Sequence, residues 1–139
     1  MPLWPLYALL AAITAALMTI VGKVGLRGVD PTFATGIRSF FMFLFMLIVV
    51  GASGKFSNFD KLDRNALIAI IVSAVFGAAS WWFYFLALKD GSASRVAAID
   101  RTSIVFVIIL STLFLAEKLT LKVAAGGLLI AIGAILVAI

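Results

Sequence analysis

The chain has 139 residues, 65% of them hydrophobic and only 12% charged, with a formal charge of +5. A water-soluble domain of this length needs a charged surface, so the composition excludes a soluble enzyme or carrier and makes lipid the main solvent. The positive charge would point to nucleic acid in a soluble protein; here Lys and Arg have the simpler task of lining the headgroup region, and no nucleic-acid partner is expected.

Crossing the hydrocarbon of a bilayer, about 30 Å, takes roughly 20 apolar residues at helical rise. Five segments qualify: Leu3–Gly22, Thr32–Val50, Ala66–Leu88, Ser94–Leu115 and Leu121–Ile139. Period-2 alternation is absent from them, and helices satisfy their own backbone groups in lipid, so the fold class is an all-α integral membrane protein with five transmembrane helices. The first span follows a stretch without Lys or Arg and exceeds the ~7–15 apolar residues of a signal peptide, so it is expected to be a retained helix anchored by Trp4 at the interface. One face of it carries Ala8, Ala12, Ala16, Thr19 and Lys23. Asp30 and Pro31 then form an N-cap and first helical position for the second span.

Arg38 lies seven residues past Pro31, about 10 Å into the second span at helical rise. The run Phe40–Val50 that follows is uncharged, so the guanidinium is expected to face a partner or a cavity rather than lipid. Met42 and Met46 on the same span offer adaptable apolar wall. After the longest connection, residues 51–64, the third span sets Ser73, Gly77, Ser80 and Tyr84 at spacings of four, three and four, on one helical face bordered by Trp81. Small residues with aromatic polar tips suit either close helix packing or a lined cavity. The turn Lys89-Asp90-Gly91-Ser92-Ala93 leads into the fourth span, which carries Asp100 and Arg101 at depth. Glu117-Lys118-Leu119-Thr120 turns the chain into the fifth, where Gly127, Ala131, Ala134 and Ala138 form small-xxx-small pairs suited to a dimer contact.

With an odd number of spans the ends lie on opposite faces. Lys55, Lys61, Arg64, Lys118 and Lys122 fall on the N-terminal side; Lys23, Arg27, Lys89 and Arg95 fall on the other, joined by Arg38 and Arg101 if the deeper residues are counted. So even a balance fixes orientation weakly, by insertion cues of either kind or by insertion both ways round. Lys23, Arg38, Asp100 and Arg101 approach from one side, three cations against one carboxylate. An Asp100–Arg38 ion pair is one use for them; the remaining positive excess favours anionic ligands. No cysteine, histidine, phosphate loop, nucleophile elbow or metal-spaced carboxylate cluster is present, so no catalytic residue, metal or cofactor is expected.

The stretch Ala87-Leu88-Lys89-Asp90-Gly91 with Ser94-Arg95-Val96-Ala97 resembles the helix 3–4 turn of the EamA-type drug/metabolite transporter superfamily. Ile99-Asp100-Arg101-Thr102-Ser103, the junction Leu113-Phe114-Leu115-Ala116-Glu117-Lys118-Leu119-Thr120, and Gly126-Gly127 with Gly133 extend the resemblance, while Arg38 and Ala79-Ser80-Trp81 look like its five-helix bacterial and archaeal branch. The resemblance covers essentially the whole chain as a single domain. It implies one half of a ten-helix inverted-repeat plan, a permease for small organic metabolites in a prokaryotic plasma (inner) membrane, and a homodimer, parallel or inverted, that completes the route across the bilayer. The implied cavity residues are Lys23, Arg38, Ser73, Ser80, Trp81, Tyr84, Asp100 and Arg101, with Glu117 shaping the last turn. Where many relatives carry a helix 4 proline, this chain reads Ser103-Ile104, which leaves a bend there open. A non-transporting assembly subunit and a flippase subunit for anionic lipid-linked head groups are the alternatives.

Overall fold

Helix starts and stops fall where the sequence supplies caps. Asp30 accepts a hydrogen bond from the Phe33 N–H at 3.0 Å with Pro31 at the first helical position, and Thr120 Oγ1 accepts from the Val123 N–H at 3.3 Å. Gly28 and Gly54 take positive φ of 75° and 64° in the turns after the first two helices. The computed structural model describes residues 2–57 and 62–139, and these form α1 (Trp4–Gly25), α2 (Pro31–Ala52), α3 (Arg64–Asp90), α4 (Ala93–Asp100), α5 (Ser103–Phe114) and α6 (Leu121–Ala138). Lys61, counted above among the basic residues, lies outside the described residues.

The five expected spans are present as helices long and apolar enough to cross a membrane: α1, α2, α3, α4 with α5, and α6. The fourth, in which the sequence left a bend open, is made of two helical pieces. It is interrupted at Arg101 and Thr102, without a proline. The Arg101 N–H is shared between the carbonyls of Ala97 (3.2 Å) and Ala98 (3.1 Å), and Thr102, Ile104 and Val105 all bond three residues back, to Ile99, Arg101 and Thr102. The Thr102 hydroxyl also donates to the Ile99 carbonyl at 2.7 Å. A turn of tighter, 3₁₀-type winding thus replaces one turn of α-helix, and the hydroxyl that competes for the Ile99 carbonyl is its local cause.

Two compact units divide the chain, one holding α1 with α4, α5 and α6, the other α2 with α3. In the first, α6 packs on both halves of the interrupted span. The Arg95 guanidinium of α4 donates to the Ile139 carbonyl at 3.0 Å, and Gly127 sits so close to α5 that a Cβ there would lie 2.7 Å from Ile108 Cδ1. Gly127 and Ala134 are buried, and Ala131 and Ala138 half-buried. Two members of the small-residue stripe of α6, expected at a dimer contact, are therefore buried within the chain itself, Gly127 against Ile108 of α5. The face of α6 left exposed carries Leu128, Leu129, Ile132, Ile135 and Leu136.

At the end of α5, Ala116 adopts φ 54° and the Glu117 N–H reaches back to the Ser111 carbonyl at 3.3 Å. A left-handed alanine costs about 1–2 kcal/mol, and it reverses the chain over the few residues before α6. The α5–α6 packing is tested at Gly127. Gly127→Ala is accommodated by the mobile tip of Ile108. Gly127→Leu overpacks the contact and lowers stability by about 1–3 kcal/mol, and adding Ile108→Ala recovers part of that loss in unfolding titrations from mixed micelles.

Candidate functional site

Within the α2–α3 unit, Arg38 lies one side of its guanidinium on the indole of Trp81, with Cζ 4.0 Å from the ring centroid, and Phe85 stands 5.4 Å away. Phe85 follows Trp81 by one helical turn, so both rings project from one face of α3. Tyr84 meets Trp81 edge-on at 5.6 Å and Phe85 at 6.5 Å. Tyr84, Phe85 and Leu88 are buried, so the cation rests on an aromatic floor whose lower layer is closed to solvent. Cation–π attraction supplies about 0.5–2 kcal/mol, yet it uses the face of the guanidinium and leaves its in-plane N–H groups to find acceptors. Arg38 Nη1 is sealed from solvent and has no hydrogen-bond partner among the described residues. An unsatisfied buried donor on a charged group costs more than the usual 1–3 kcal/mol, which makes it the least settled polar atom of the unit.

The floor is held in place from the other side of α3. Trp82 Nε1–H donates to Thr32 Oγ1 at 3.0 Å, tying α3 to the first turn of α2 and aiming Trp81, about 100° round the helix, along a different direction. Ser73 and Ser80, expected on the same face as Tyr84, are exposed on α3, and Gly77 is half-buried. The sequence pattern set Trp81 and Tyr84 on or beside one face of the third span, with Phe85 close by, and grouped Arg38 with Lys23, Asp100 and Arg101; the structure brings Arg38 onto Trp81 and Phe85. Nothing in the sequence signalled the Thr32–Trp82 bond.

The remaining ionisable candidates, Lys23, Asp100 and Arg101, belong to the other unit. Lys23 Nζ donates to the Gly91 carbonyl at 2.9 Å, fastening the end of α1 to the turn that opens α4. Asp100 is half-buried as the last residue of α4, and Arg101 is exposed at the interruption that follows. Arg101 closes one part of a groove of ≈ 580 Å³ between α1 and α4, walled by Ala12, Ala16, Thr19 and Ile20 on one side and Ala93, Ser94, Ala97 and Ala98 on the other. The small-residue stripe of α1 and Arg101 are therefore neighbours, as their sequence positions suggested. Small side chains on both walls keep the groove open where larger ones would fill it. Among the described residues there is no cluster of three potential metal ligands.

The Thr32–Trp82 bond is the positional link most open to measurement. A double-mutant cycle of Thr32→Val and Trp82→Phe yields a coupling of about 0.6 kcal/mol, the average for interhelical hydrogen bonds in lipid, and no more than about 1.7 kcal/mol. Zero coupling in folded protein removes the tether.

Comparison with known proteins places these features. The model of the EamA-like transporter family matches residues 2–139. A protein of a Sinorhizobium species, described as an uncharacterized transporter in the cobO 3′ region, is 39% identical over 136 residues, 98% of this chain and 96% of its own length. An uncharacterized protein of Methanocaldococcus jannaschii is 35% identical over 105 residues, 69% of this chain and 77% of that one. No solved structure matches the chain.

Proposed function

The chain belongs to the EamA-like transporter family, and on that premise we propose that this multi-pass membrane protein is a secondary transporter of small organic metabolites that favours anionic or zwitterionic substrates and works as a homodimer by alternating access. One observation carries the substrate preference: Arg38, ten or so ångströms into a span by helical rise, holds a buried N–H group with no acceptor. A desolvated cation in that condition attracts an anion and repels another cation. Arg101, lining the groove in the other unit, adds a second cation. Ser73, Ser80, Trp81 and Tyr84 serve this reading as wall, and Asp100, preceding Arg101, is assigned no obligatory proton-carrying role. Glu117 keeps its place as a turn residue.

Support for the homodimer comes from how little each span hides. No more than 11% of the most apolar 18-residue stretch of any span is buried within the chain, which leaves ample surface for a second copy to cover. The exposed leucines and isoleucines of α6 are the surface proposed for that contact, since Gly127 and Ala134 are already committed inside. The interrupted fourth span supports alternating access, because a short 3₁₀ turn within a membrane helix is a place where two rigid halves change angle at low cost. The near-even distribution of basic residues supports insertion of the two copies in opposite senses.

Two measurements test this reading. Purified protein in liposomes moves small organic anions faster than matched cations; preference for lipophilic cations overturns the substrate class, lipid translocation without solute flux identifies a flippase subunit, and neither activity without a partner identifies an assembly subunit. For orientation, Ser53→Cys and Ser92→Cys are separate single substitutions in a chain that has no native cysteine. Both positions are exposed at helix ends, and each is labelled from both sides of the membrane in whole cells. Labelling from one side only excludes the inverted pair.

A further inference from the structure

Resting on the reading above, we infer that Arg38, stacked on Trp81, takes the carboxylate of a monoanionic substrate with an apolar body, and that this site admits one negative charge rather than two. Trp81 covers a face of the guanidinium at 4.0 Å and Phe85 lies 5.4 Å off. A ring attracts the charge of a guanidinium without accepting its hydrogens, so the planar fork of N–H donors keeps its capacity to bond the two oxygens of a carboxylate. One of those donors, Nη1, lacks a partner.

Charge balance sets the second half. In α2 and in residues 65–88 of α3, Arg38 is the single residue of the Asp, Glu, Lys and Arg set. A monoanion bound to it leaves a neutral pair in a medium of low dielectric. A dianionic phosphate leaves a net negative charge with no second cation in α2 or in residues 65–88 of α3, and that remainder is costly away from water. The surroundings include aromatic rings, with Tyr84 and Phe85 buried beside Trp81, so an apolar substrate body finds ring surface next to its carboxylate. Because Nη1 is sealed in this conformation, the anion is received only as the guanidinium turns or its cover parts. Either motion changes what the Trp81 indole touches, which provides a signal.

The test uses the full chain in nanodiscs titrated with butyrate, inorganic phosphate and butylammonium at constant ionic strength, followed by tryptophan emission and by melting temperature. Butyrate shifts both saturably, and the other two ions do not. Arg38→Lys keeps the charge but loses the fork and the stacking, and weakens butyrate by about 10–100-fold, the equivalent of a lost charge-assisted hydrogen bond. Trp81→Phe retains a ring under the cation, loses the emission change and keeps the rise in melting temperature within a few-fold concentration range, which separates binding from misfolding. Unchanged butyrate binding in folded Arg38→Lys overturns the assignment. Saturable phosphate binding with the same dependence on Arg38 overturns the one-charge limit. A protein that binds butyrate in this way yet moves no solute in liposomes keeps the site and overturns transport, whereas flux unaffected by Arg38→Lys keeps transport and overturns the site.

Discussion

A polar hydrogen in hydrocarbon has no water to turn to, so each one must find an acceptor within the protein or stand as a cost of several kcal/mol. This constraint explains most of the side-chain hydrogen bonds in the chain. Thr14, Thr19, Thr35, Ser39 and Thr112 all return their hydroxyls to a carbonyl four residues back on the same helix, and Ser111 to one three back. The indole N–H of Trp82 finds Thr32, and the ammonium of Lys23 finds the carbonyl of Gly91. Against that background Arg38 Nη1 is the exception among the described residues. A guanidinium cannot shed its proton to escape the cost, and an aromatic cover attracts its charge without accepting its hydrogens. Among the buried side-chain N and O atoms of the described residues, Nη1 stands alone in lacking a partner.

The same constraint shapes the interruption of the fourth span. Breaking a helix in lipid ordinarily leaves donors and acceptors open, and here the break is made by rewinding rather than by opening: the N–H groups of Arg101, Thr102, Ile104 and Val105 bond to carbonyls three residues back, Arg101 sharing a second one, so no backbone donor among them is abandoned. Thr102 adds its hydroxyl to the Ile99 carbonyl. A proline would have reached a similar bend by deleting a donor. This chain interrupts the helix while the N–H groups of Arg101, Thr102, Ile104 and Val105 stay bonded, beside Asp100 and Arg101. The rewound turn and the charged pair share a location because both need a departure from the uniform, lipid-facing helix surface.

Lengths and ends of the helices were legible in the sequence because hydropathy and caps are local properties. Asp30-Pro31 and Thr120 act where their chemistry places them, and the five spans stand within a few residues of their expected bounds. Membership of the aromatic and cationic cluster was partly legible, since the 4, 3, 4 spacing placed Tyr84 and Trp81 near one face while depth marked Arg38. What the sequence did not contain was the partner of each face. Ser73 and Ser80 share the spacing of Tyr84 but are exposed, and Lys23, grouped with the deep cations, is occupied at the Gly91 carbonyl. The break at Thr102 was equally hidden, because a hydroxyl that bonds to its own helix bends it in one setting and sits harmlessly in another, as Thr19 and Thr35 do within unbroken α1 and α2.

Small-residue stripes show most directly where periodicity stops being informative. Small-xxx-small spacing states that two helices approach closely; it does not state whether both belong to one chain. On α6 the approach is internal, with Gly127 against Ile108, while on α1 the Ala12, Ala16 and Thr19 face borders an open groove. The difference lies in what stands opposite. Ile108 of α5 fills the space over Gly127, whereas α4 meets α1 with Ala93, Ala97 and Ala98, residues too short to reach across. Two like surfaces therefore acquire opposite uses, one spent on packing and one kept as room. In a chain whose spans bury so little within themselves, the faces that remain, small or bulky, are what lipid or a second copy must cover, and a hydrophobic pattern that satisfies lipid equally well does not distinguish them. Charge does. Lipid tolerates leucine and isoleucine on α6 without preference, but it does not tolerate an unpaired guanidinium, and so the position of Arg38 constrains function more tightly than any apolar face around it.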